Sequence, residues 1–79
     1  MKLSKRQSRV EPIYALIGAE VRRRRILAGI SQQRMADILG VTRTSITNFE
    51  AGRQRMPLHL IDVAALVLGV SLGKVIERI

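Results

Sequence analysis

Arg43, Thr44, Thr47 and Asn48 are the residues of this 79-residue chain whose types and spacing carry the clearest chemistry. At about 100° per residue they gather on one side of a helix, while Ser45, Ile46 and Phe49 gather on the other. The gathered side holds a guanidinium, two hydroxyls and a carboxamide. Such groups can meet base edges and phosphate oxygens in a major groove. Any surface helix also turns polar residues to solvent, so this face has to be judged together with the elements that hold it.

Those elements are legible on either side. Met35, Ala36 and Leu39 repeat at helical spacing, as do Ile46 and Phe49, so two short helices each have an apolar side to bury. The turn between them is Gly40-Val41-Thr42, the layout of a helix-turn-helix. Gly40 suits the left-handed conformation that ends the first helix. Ser31 and Thr42 can each cap a helix through the hydroxyl. Ala36 is small where two helices crossing at a wide angle would crowd.

The stretch resembles the helix-turn-helix of phage repressors and Cro proteins, the Cro/C1-type (XRE) family. The likeness lies in Ser31-Gln32, Met35-Ala36, Leu39-Gly40-Val41, Ser45-Ile46, Phe49-Glu50 and Gly52. It extends over roughly Val21 to Ile76. Each pair of residues is a weak signal by itself; their joint spacing is a strong one. The resemblance implies an all-α, five-helix, lambda-repressor-like domain over residues 12–79, with the helix-turn-helix at about 31–50.

What the resemblance implies for function is sequence-specific binding of double-stranded DNA by a homodimeric transcriptional repressor. The helix Arg43–Glu50 would lie in the major groove of a near-palindromic operator. Arg43 would make a bidentate contact to guanine, and Asn48 would meet adenine or a phosphate. Thr44 and Thr47 would touch a thymine methyl or a base edge. Gln32, Thr42, Arg53 and Arg55 would hold the DNA backbone, helped by helix N-termini. Family members often pair an arginine at the place of Arg25 with a glutamate at the place of Glu50, so that ion pair is expected. Arg24 departs from the family pattern, which is often apolar there; its stem can snorkel along the core.

Composition agrees with a polyanionic partner. Fourteen Lys and Arg against six Asp and Glu give a formal net charge of +8 and a sequence pI near 11.6, which favours nucleic acid. The length suits one domain near the lower limit for an unstapled core. There is no Cys, so disulfides and thiolate metal sites are excluded and a reducing compartment is expected. The basic start lacks the apolar run of a signal peptide, and no apolar segment is long enough to span a bilayer. A cytoplasmic protein without a membrane partner is expected.

The rest of the chain positions and completes the motif. Met1 to Glu11 reads as a basic flexible arm with Lys2, Lys5, Arg6 and Arg9, either lying along DNA or serving only as a solubilising tail. Helix one is expected over Ile13–Ala28, with Ile13, Leu16, Ile17 and Val21 buried. Helix four is expected from Pro57 to Leu68, with Leu60, Ile61, Ala64, Ala65 and Leu68 on its core side. Ser71 caps a last short helix. The apolar excess near this end includes Leu66, Val70, Leu72 and Ile79, which form a subunit contact or merely complete a small core.

Catalytic chemistry has no foothold. His59 is the only histidine, and the acids Glu11, Glu20, Asp37, Glu50, Asp62 and Glu77 are scattered. No metal-ligand spacing, phosphate loop or cofactor motif is present. An antitoxin that neutralises a protein partner and represses its own operon is the alternative from another class. RNA binding is a third, weaker option. An activator touching RNA polymerase is sterically open as well.

Overall fold

The computed structural model describes residues 11–79. The basic residues of the expected arm, up to Val10, lie outside the described residues. Five helices follow in order, α1 (Pro12–Leu27), α2 (Gln32–Leu39), α3 (Arg43–Glu50), α4 (Leu58–Val67) and α5 (Leu72–Arg78). The architecture is all-α, as expected.

Local signals fix the helix ends. Pro12 opens α1, where a missing N–H costs nothing. Ser31 Oγ accepts from the Arg34 N–H at 3.0 Å and Thr42 Oγ1 from the Ser45 N–H at 3.0 Å, so α2 and α3 each begin on a hydroxyl cap. Ser71 does the same for α5, accepting from the Lys74 N–H at 3.2 Å. Gly40 takes φ +70°, and the Val41 N–H reaches back to the Ala36 carbonyl at 3.0 Å. That reversal turns the chain from α2 into α3 within three residues.

Every helix sends apolar side chains into one core. Ile17 and Val21 come from α1, Met35, Ala36 and Leu39 from α2, and Ile46 and Phe49 from α3. Ile61, Ala64 and Ala65 of α4 meet Val75 of α5 there, with Met56 added from the loop before α4. Leu60 and Leu68 are partly buried and pack against this cluster. Among the described residues no single helix is long and apolar enough to cross a membrane.

The buried face of α1 differs from the expected one. Ile17 and Val21 are buried, but Ile13 and Leu16 are 48% and 50% exposed. Gly18 replaces them against α3. A Cβ built there would stand 2.1 Å from the Phe49 carbonyl oxygen, so the two backbones approach as only glycine allows. This contact rotates the packed face toward Gly18, Val21 and Arg25 and leaves Ile13 and Leu16 at its rim. The helix also ends at Leu27 rather than Ala28, with Ala28 as its cap.

Candidate nucleic-acid interface

The helix α3 is fixed from beneath before it can present anything outward. Ile46 and Phe49 are buried in the core, and Thr42 holds its first turn. Its last residue, Glu50, is buried and meets Arg25 from α1 in a two-pronged ion pair. Arg25 Nε donates to Glu50 Oε2 at 2.7 Å and Nη2 donates to Oε1 at 2.9 Å. Arg25 Nη1 also donates to the Ile30 carbonyl at 2.7 Å. Removing either partner of a buried pair of this kind leaves an uncompensated charge and costs about 3–5 kcal/mol.

A chain of polar contacts runs outward from that pair. Gln32 Nε2 donates to Glu50 Oε1 at 3.1 Å, and Gln32 Oε1 accepts from Thr47 Oγ1 at 2.9 Å. Thr47 Oγ1 also lies 3.1 Å from the Arg43 carbonyl one turn back. The start of α2 is thereby tied to the middle of α3. No buried side-chain nitrogen or oxygen among the described residues lacks a partner, so the anchor is electrostatically complete.

Above the anchor lie the four residues of the outward face. Arg43 and Thr44 are exposed, while Thr47 and Asn48 are half-buried. Asn48 Oδ1 accepts from Arg53 Nε at 3.3 Å, which leaves the Asn48 amide hydrogens pointing away from that contact. Neither Arg43 nor Arg53 has a carboxylate partner among the described residues. Both guanidinium charges are therefore available to an anion. Among the other expected backbone contacts, Thr42 uses its oxygen as the α3 cap, and Gln32 keeps one amide hydrogen beyond its bond to Glu50.

Arg55 has a different environment. Its guanidinium forms a two-pronged pair with the Glu11 carboxylate, Nε donating at 2.7 Å, and sits 5.9 Å from the centre of the Tyr14 ring. The hydrogen bond from Arg55 holds the Glu11 carboxyl down to about 2. Glu11 thus closes the start of α1 against the loop after α3, a role its neighbourhood in a basic stretch gave no reason to expect. Glu20 is a second carboxylate whose role only the structure shows. It is buried, accepts from Arg23 Nη2 at 2.8 Å and Arg24 Nε at 2.7 Å, and is held below the ordinary carboxylate range chiefly by Arg23. The i, i+3 and i, i+4 spacing of these residues was the available signal.

Near the C-terminus, Leu66 is 63% and Ile79 39% exposed, while Val70 and Leu72 pack partly against the core. Among the described residues no group of three or more His, Asp and Glu stands ready for a metal ion.

Comparison with known proteins places this arrangement. A family model described as a helix-turn-helix domain matches residues 16–77. The chain is 38% identical over 56 residues to the SPbeta prophage-derived uncharacterized HTH-type transcriptional regulator YonR of Bacillus subtilis strain 168. That alignment covers 71% of this chain and 52% of the relative, so the chain spans about half the length of the curated protein it matches. Among solved structures, the clp gene regulator ClgR of Corynebacterium glutamicum superposes with a TM-score of 0.80 at 24% identity, over 87% of this chain and 74% of that one. The hypothetical transcription factor NHTF from Neisseria gives a TM-score of 0.74 at 26% identity, over 98% of this chain and 95% of that one. The family match over most of the chain shows that the chain belongs to the helix-turn-helix transcriptional regulators of the Cro/C1-type (XRE) family.

Proposed function

We propose that this domain acts as a sequence-specific, homodimeric repressor that reads a near-palindromic operator with α3. The observation that carries the reading is the outward face of Arg43, Thr44, Thr47 and Asn48 on a helix anchored by the buried Arg25–Glu50 pair. A helix that reads base edges must be rigid, because a tilt of its axis moves every side chain out of register with the groove. Arg43 supplies the fork for a guanine edge, and Asn48 the amide for adenine or a phosphate. Arg53 and the free amide hydrogen of Gln32 would bind the backbone, with Arg55 and Thr42 beside them.

Two copies related by a two-fold axis would place their α3 helices in successive major grooves, about 34 Å apart. The exposed Leu66 and Ile79 are the apolar groups we assign to that contact, with Val70 and Leu72 supporting them from the core side. Bound at a promoter in the cytoplasm, the dimer would exclude RNA polymerase.

The test is in vitro selection from random duplex DNA at about physiological salt. The expected result is a near-palindrome with half-sites about one helical turn apart. Uniform binding that vanishes as salt rises, with no enriched sequence, would leave a basic surface and refute the reading.

A further inference from the structure

Resting on the operator-binding reading, we infer that Thr47 meets the major groove as a hydrogen-bond acceptor, its oxygen accepting from the N–H of an exocyclic amine of adenine or cytosine. The buried carboxylate sets the polarity of the chain of contacts. Glu50 is pinned by two bonds from Arg25 and can only accept. The Gln32 side-chain group within 3.1 Å of it must therefore be the Nε2 amide, since the opposite orientation would set oxygen against carboxylate. That choice fixes Gln32 Oε1 toward Thr47, 2.9 Å away. Among the described residues the other hydrogen-bond contact of the Thr47 hydroxyl is the Arg43 carbonyl oxygen at 3.1 Å. Both inner neighbours are acceptors.

A hydroxyl has one hydrogen and two lone pairs. With two acceptors beneath it, the Thr47 hydrogen points inward whichever of them it serves, and the outward side carries lone pairs. Turning the hydrogen outward to a base acceptor would only exchange one bond for another and leave the inner acceptor without its donor. The matching groups in a major groove are adenine N6–H2 and cytosine N4–H2. Guanine O6 and N7 and thymine O4 are not matched. Gln32 is a positioning residue here, setting the polarity of a side chain on another helix, and Arg25 sets Gln32 through Glu50.

The experiment crosses Thr47→Val with single-base analogues in the selected duplex, using the whole chain and measuring affinity by fluorescence anisotropy. Purine for adenine and 2-pyrimidinone for cytosine delete the amine; 7-deazapurines and 5-methyl-2-pyrimidinone for thymine delete acceptors. At one position in each half-site, amine deletion is expected to weaken the wild-type complex about three- to tenfold and to have no further effect in Thr47→Val. Thr47→Ser, which keeps the hydroxyl, is expected to retain the sensitivity. Coupling of Thr47→Val to an acceptor-deleted analogue, coupling to neither kind, or loss of the effect in a folded Thr47→Ser would overturn the inference while leaving operator binding intact. Absence of any selected duplex would instead remove the operator reading, and this inference with it.

Discussion

Glu11 and Arg55 form an ion pair that ties the start of α1 to the loop after α3. Because the Glu11 carboxyl is lowered from 4.5 to about 2 in the folded chain, its contribution to stability is fully present above about pH 4.5. It is lost as pH falls toward 2, where the folded form also takes up the proton. Acid titration of the helical signal in Glu11→Gln is expected to lack that component. The same pair offsets the charge of a guanidinium that the proposed operator complex sets beside the DNA backbone. Glu11→Gln is therefore expected to bind random duplex more tightly and to steepen its salt dependence by about one phosphate. An unchanged salt slope would mean that Arg55 does not touch the backbone. Arg53, which has no carboxylate partner among the described residues, is the natural control.

Between helices, the decisive contacts are those where backbones or buried charges meet. Gly18 has no room for a Cβ against the Phe49 carbonyl, and the atom in the way is main chain, which cannot step aside. Gly18→Ala is expected to destabilise the domain by about 1–3 kcal/mol as α1 is pushed from α3, measured by urea unfolding. A change within about 0.5 kcal/mol would show that the helices separate easily. A contact of this kind leaves no mark in hydrophobic periodicity. The turn from α2 to α3 was legible because Ser31, Gly40 and Thr42 each act within a few residues of themselves. The face of α1 was not, because periodicity counts Ile13 and Leu16 as apolar and has no way to score a glycine as a contact. The Arg25–Glu50 pair entered through the family resemblance rather than through spacing, and the Glu11–Arg55 pair spans 44 residues with no local pattern to announce it. The residues of the outward face could be named from sequence, but the direction in which Thr47 donates could not.

Taken together, the described residues carry opposite kinds of surface in the two regions proposed to make contacts. Around α3 and the following loop lie Arg43 and Arg53 without carboxylate partners among the described residues. Around α4 and α5 lie Leu66, Ile76 and Ile79, all exposed. The first suits a polyanion and the second a partner chain. If the proposed dimer forms through this face, Leu66→Glu is expected to shift the sedimenting species from dimer to monomer while leaving the helical content unchanged. A variant that remains dimeric would move the subunit contact elsewhere. Either α3 reads bases or it only adds charge. The affinity of Arg43→Ala for the selected duplex and for random duplex, compared at one salt concentration, decides between them. The expected result is a loss of about 1–3 kcal/mol on the selected duplex, with preference relaxed at one base pair and a much smaller loss on random DNA. Equal losses on both would contradict base reading by Arg43 and reduce α3 to part of a basic surface.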